Sequence, residues 1–111
     1  MQPLSSHDEL LLLAILNLGD NAYGMTIRMK VSEATGRDWT IGAVYDPLYR
    51  LENRGCVESR LSGPTRERGG RSKRIFHVTD EGLQALLAHK QIRDHLWQNV
   101  QRVALIPSSQ D

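Results

Sequence analysis

The run Thr40-Ile41-Gly42-Ala43-Val44-Tyr45-Asp46-Pro47-Leu48-Tyr49-Arg50-Leu51-Glu52-Asn53-Arg54-Gly55 is the most informative part of this 111-residue chain. Val44, Leu48 and Leu51 recur at helical spacing and form one apolar stripe, Thr40 offers an N-cap hydroxyl, and Gly55 stops the pattern. Pro47 sits awkwardly within it, because an interior proline removes a hydrogen bond and clashes with the preceding turn. Either the helix bends there, or its first turn is separate and the main helix starts near Pro47.

The flanks supply the other elements. On the C-terminal side, Val57 to Ser62 and Arg74 to Val78 are strand-like, and Gly63, Pro64, Gly69 and Gly70 between them predict a hairpin with a long, loose tip. Alternation puts Phe76 and Val78 on one face, toward a core, and Cys56 is a small core residue just after the helix. Thr79-Asp80-Glu81 is a cap residue followed by two acids, the start of a last helix expected to run to about Ile106, before Pro107. At roughly 1.5 Å per residue that helix is about 40 Å long, more than so small a domain needs for its own core.

On the N-terminal side, a second helix is expected from Tyr23 or Gly24 to Thr35, closed by Gly36, with Arg37-Asp38-Trp39 a short extended linker. Ser6-His7-Asp8-Glu9 has the form of a capping box, and Leu10 to Leu18 is apolar nearly all round, the mark of a central helix, with Gly19 as a left-handed cap. The order is helix, helix, helix, strand, strand, helix. The fold class is mainly α with a small β-hairpin (α+β): a winged helix-turn-helix over residues 1–78, an added C-terminal dimerisation helix over 79–106 in the same compact domain, and a flexible tail over 107–111.

Composition agrees with one soluble domain: 40% of residues are hydrophobic, 24% are charged, and the formal net charge is +1. That small net charge hides an asymmetry. Between Arg60 and Arg74 six basic residues face the single acid Glu67, a local +5, while the rest of the chain carries eight basic and twelve acidic residues. A concentrated basic stretch meets polyanions through counterion release, although composition alone equally fits a solvated loop. The longest apolar run, Leu10 to Leu16, is far short of the ~18 residues of a membrane span. The N-terminus has no basic region of a secretory signal, so a cytoplasmic protein without a membrane partner is expected. One cysteine excludes an internal disulfide framework.

Several blocks resemble the PadR family of bacterial transcriptional regulators: Tyr23-Gly24, then Gly42-Ala43-Val44-Tyr45 with Leu48 and Arg50-Leu51-Glu52, then Gly55-Cys56-Val57, the tip Gly69-Gly70-Arg71-Ser72-Lys73-Arg74, and Val78-Thr79-Asp80-Glu81-Gly82. They follow the family's order over roughly residues 9 to 87. The chain departs from the pattern where Asp46 intervenes between Tyr45 and Pro47, and its single last helix is similar to the compact branch, in which that helix implies dimerisation.

The resemblance implies a DNA-binding regulator, a repressor that holds a pseudo-palindromic operator as a homodimer and is released by an effector. In such a fold the third helix enters the major groove and the hairpin tip follows the backbone or minor groove. Candidate DNA contacts are Tyr23, Thr40, Ile41, Gly42, Ala43, Tyr45 or Asp46, Tyr49 and Arg50, with Arg68, Arg71, Ser72, Lys73 and Arg74 in the wing, Arg66 being less well placed. Each has a plainer reading: Gly42 and Ala43 permit tight helix packing, Tyr45 is core with its hydroxyl in water, and Arg50 pairs with Glu52 or Asp46. On the last helix Leu83, Leu86, Leu87, Trp97 and Val100 make one broad stripe, and Ile92, Leu96 and Val103 widen it into a second face. One face packs on the body and the other finds a partner or remains exposed; a second copy of the chain is the expected partner. Trp97 is either a dimer anchor or the platform of an effector site between subunits, stacking on a flat ligand.

A winged helix that binds another protein and not DNA is the competing reading, and the +5 wing argues against it. No cofactor is expected. His7, His77, His89 and His95 share no ligand spacing for a metal, and a redox role for Cys56 would need a low-pKa environment. Enzymatic motifs are absent from the sequence: no Gly-x-Ser-x-Gly elbow, P-loop or His-Glu-x-x-His.

Overall fold

The computed structural model describes residues 3–63 and 72–100. Four helices and one hairpin follow in the expected order: α1 (Ser6–Leu18), a 3-10 turn (Gly19–Asn21), α2 (Gly24–Thr35), α3 (Ile41–Asn53), β1 (Val57–Leu61), β2 (Arg74–Val78) and α4 (Asp80–Gln98).

Local chemistry fixes the boundaries. The α1 cap is one residue earlier than the sequence reading put it. Ser5 Oγ accepts from the Asp8 N–H at 3.0 Å and Asp8 Oδ2 accepts from the Ser5 N–H at 3.3 Å. With serines at 5 and 6 and acids at 8 and 9, either frame satisfies the pattern. The frame that wins buries Asp8, 3.8 Å from Arg54 Nη1. Gly19 has φ 60° but ψ −127°, so it leads into the 3-10 turn and is not a left-handed cap. Gly36, at φ 70° and ψ 18°, is one. Thr40 caps α3 by accepting from the Ala43 N–H at 3.1 Å. The helix then runs through Pro47 without a break, so the first turn is not separate; the proline ring is buried on its inner side.

The core lies between α1, α2, α3 and the hairpin. Leu11, Leu12 and Ile15, Ile27 and Val31, Val44, Leu48 and Leu51, and Phe76 are its buried side chains. α1 is not buried all round, since Leu13 and Leu16 stay exposed. β1 and β2 pair antiparallel with Ser59 opposite Phe76, and Tyr23 adds an antiparallel bridge to Ile75. The Phe76 N–H donates to Ala22 O at 2.8 Å, which ties the start of α2 to the wing.

α4 is anchored at its N-terminus. Thr79 accepts from the Gly82 N–H at 3.0 Å, and the Thr79 N–H donates to Cys56 O at 3.0 Å. Gly82, Ala85 and Leu86 face the body, whereas Leu83 and Leu87, which the sequence grouped with Leu86 on one stripe, lie outside. The helix reaches Gln98. It does not run on to 106 as expected: Asn99 caps it and Val100 lies in a bend, while Val103 and the tail are outside the described residues.

Candidate nucleic-acid interface

The inner stripe of α3 packs on the core, and this fixes which side chains face outward. Thr40, Ile41, Gly42, Asp46, Tyr49 and Arg50 are exposed, while Ala43 and Tyr45 are half-buried and packed against the core. At 3.6 residues per turn, Gly42, Asp46 and Tyr49 fall within an arc of about 60°, the middle of the open face.

Gly42 has no packing reason to be glycine. A Cβ placed there would meet only Asp46 Oδ2, at 3.9 Å. Gly24 is the opposite case, because a Cβ at that position would lie 1.9 Å from the Tyr45 hydroxyl and 2.3 Å from its Cζ. The Tyr45 ring thus lies over the first residue of α2. Its centroid is 5.8 Å from the Tyr49 ring and 6.5 Å from Phe76, so the ring is packed on the core with its hydroxyl end at the α2 terminus. Lys73 Nζ lies 4.2 Å above the Tyr23 ring centroid, within cation–π range. The contacts run from the wing base through Tyr23 and Gly24 to Tyr45 and Tyr49, so one continuous surface joins residues 50 positions apart in sequence.

The remaining wing candidates divide. Ser72 is exposed, and the Ser62 N–H donates to Lys73 O at 2.7 Å, extending the ladder one step past the strands. Arg74 turns inward: its Nη1 donates to Ser59 Oγ at 3.0 Å, and that hydroxyl donates to Glu52 Oε2 at 2.7 Å. It braces the hairpin against α3. Arg66, Arg68 and Arg71 lie outside the described residues. Arg50 forms no ion pair with Glu52 or Asp46 among the described residues; it borders a cleft with Pro3, Ser5 and Asp8.

Trp39 is the residue the sequence reading passed over. The supposed linker residue is buried, and three side chains of α2 hold it. Arg28 Nε donates to Trp39 O, Ser32 Oγ accepts from the Trp39 N–H at 3.1 Å, and Thr35 Oγ1 accepts from Trp39 Nε1 at 3.0 Å. His7 covers it, with ring centroids 4.9 Å apart. The signal was present as a polar stripe at i, i+4 and i+7 on α2. Since Trp39 immediately precedes the Thr40 cap, this clamp sets where α3 begins and how it is aimed.

On α4, Leu83, Leu87, Ile92, Leu96 and Trp97 are all exposed, Trp97 by 55%, as is Val100 just beyond its end. A groove on that helix is lined by Ala88, Gln91, Ile92, His95 and Leu96, and does not include Trp97. Among the described residues no cluster of three or more His, Cys, Asp or Glu is arranged to hold a metal, and no helix is long and apolar enough to cross a membrane.

The profile of the transcriptional regulator PadR-like family matches residues 12–88. The chain belongs to the PadR-like family of transcriptional regulators. A PadR family transcription regulator from Clostridium difficile R20291 is 28% identical, with a TM-score of 0.66 over 84% of this chain and 93% of that one. A PadR-like transcriptional regulator from Bacillus cereus strain ATCC 14579 has the same fold, with a TM-score of 0.68 over 88% of this chain and 89% of that one at 20% identity. No curated protein matches the sequence.

As a PadR-like regulator the protein is a DNA-binding transcriptional regulator built on a winged helix, in a family of regulators and not of enzymes. Two PadR-like blocks have steric reasons here. Tyr23-Gly24 leaves room for Tyr45, and Val78-Thr79-Asp80-Glu81-Gly82 meets Gly55-Cys56-Val57 where a Cβ on Gly82 would lie 2.1 Å from Cys56 O. The departure at Asp46-Pro47 leaves α3 intact and puts a carboxylate on its open face.

Proposed function

We propose that this PadR-like protein is a repressor that binds a pseudo-palindromic operator as a homodimer. Two copies of α3 enter adjacent major grooves, about 34–36 Å apart. The observation that carries this reading is the open face of α3: a helix held by the Trp39 clamp, with Gly42 bare of any packing demand and Ile41, Asp46 and Tyr49 around it. A side chain missing where nothing inside needs the space allows close approach by something outside. Thr40 and Ile41 are suited to thymine methyls, and Tyr23, Tyr45 and Lys73 to phosphates beside the α2 N-terminus. The basic residues of the hairpin other than the inward-turned Arg74, namely Arg60, Arg66, Arg68, Arg71 and Lys73, supply the sequence-independent attraction.

The homodimer reading is supported by the apolar side chains that α4 leaves in water, Leu83, Leu87 and Trp97 on one face and Ile92 and Leu96 on the other. Trp97 serves there as an anchor of the seam. An effector that changed the angle between the two winged helices would release the operator, because affinity needs both half-sites in register.

Fluorescence anisotropy over a salt series, with duplex from the gene's own upstream region against a shuffled duplex, tests the reading. A preference of at least ~10³ that weakens steeply with salt is expected of a self-regulating dimer. Replacing Arg71 and Lys73 by Ala should weaken binding to all duplexes alike and flatten the salt dependence by up to about two phosphate contacts. Absence of binding to either duplex at ~50 mM salt would instead favour a winged helix devoted to protein contacts.

A further inference from the structure

We propose that Asp46 reads a base: its carboxylate accepts a hydrogen bond from the N4 amino group of a cytosine in the major groove. The inference rests on α3 being the DNA-reading helix. Asp46 stands at the centre of the open face, between Gly42 one turn before it and Tyr49 one turn after. Its Oδ2 lies 3.9 Å from where a Gly42 Cβ would be, so the carboxylate leans over the bare patch of the helix. It is exposed and has no ion pair or hydrogen bond among the described residues, even though Arg50 follows at i+4, the spacing at which such pairs form on helices.

An ionised carboxylate is acceptor-only. Against DNA it is repelled by phosphates and by guanine N7 and O6, and it gains only where a donor meets it. The major groove offers two donors, cytosine N4 and adenine N6. Adenine N6 stands between two acceptors, its own N7 and the thymine O4, whereas cytosine N4 ends its row and has one acceptor neighbour, guanine O6. The carboxylate therefore selects cytosine. Its charge also penalises DNA that presents no donor at that position, which sharpens discrimination at some cost in general affinity.

The test is selection from a pool of duplexes with a randomised core, using the full chain and its Asp46→Asn and Asp46→Ala variants, each first checked for an unchanged melting temperature. The wild type should enrich a cytosine at one position of each half-site. Asp46→Asn should shift that position toward adenine, since an amide pairs with adenine N6 and N7. Asp46→Ala should lower the preference there about tenfold and raise affinity for unrelated duplex. Unchanged preference in both variants, or enrichment of adenine by the wild type at the position Asp46 controls, overturns the assignment to Asp46. A wild type that enriches no motif overturns the reading of α3 itself.

Discussion

Gly42 and Gly82 are both glycines inside helices, and the structure gives them opposite reasons. At Gly82 an added methyl would lie 2.1 Å from a backbone oxygen, that of Cys56, which cannot rotate away. Gly82→Ala should therefore push α4 off the α3–β1 turn and lower stability by about 1–3 kcal/mol, measurable in urea denaturation. At Gly42 the space is open, so the alanine's helix propensity is gained without a clash, up to about 1 kcal/mol. Gly42→Ala should raise the melting temperature slightly and, if α3 docks as proposed, weaken duplex binding, because the methyl would stand between helix and groove. A variant both more stable and fully active would remove Gly42 from the contact surface. A string of residues shows that both positions are glycine. It cannot show which is filled from inside, because that depends on what the fold brings opposite: a carbonyl 26 residues away in one case, and solvent in the other.

At the scale of elements, α2, α3 and the hairpin were legible because each has its own local mark: Gly36, the Thr40 cap, the Val44-Leu48-Leu51 stripe, and short strands flanking a Gly-rich tip. Among the features that escaped, Trp39 and the inner face of α4 have clear reasons. A lone tryptophan in a three-residue linker has no periodicity to report its burial, and its partners on α2 looked like a solvated polar face. α4 carries apolar residues at nearly every phase, so spacing alone could not choose between Leu83 with Leu87 and Ala85 with Leu86 as the inner pair. The Thr79 cap and the Gly82 contact make that choice. The Trp39 clamp has a consequence of its own. Ser32→Ala with Thr35→Val leaves the Trp39 N–H and Nε1–H short of partners at about 1 kcal/mol each. In a Trp97→Phe background, Trp39 emission should shift to longer wavelength. Affinity for the operator should fall more than the loss of stability explains, because the start of α3 is no longer fixed. Unchanged emission and affinity would show that packing under His7 is enough to hold the helix.

For the molecule as a whole, two surfaces call for partners of different chemistry. The side that joins Lys73, Tyr23, Tyr45 and α3 is polar and adjoins the basic wing. α4 exposes Leu83, Leu87 and Trp97 on one face and Ile92 and Leu96 on the nearly opposite one, with 42–61% of each exposed. Apolar side chains left in water on both faces favour association, and the proposed homodimer would cover them with a second copy and its returning helices. Charges placed on both faces should separate the two functions. Leu87→Glu with Leu96→Glu lies outside the core, so the helix content and the winged-helix body should survive. Sedimentation should then give the mass of one chain where the wild type gives two. Each monomer keeps one α3 and one wing, so binding to a half-site should persist at the weak level of a single module. The gain from engaging both half-sites at once should disappear, a factor of 10² or more for linked sites. A variant that stays dimeric would assign the seam to another surface, and a monomer with undiminished operator affinity would mean that a single winged helix suffices.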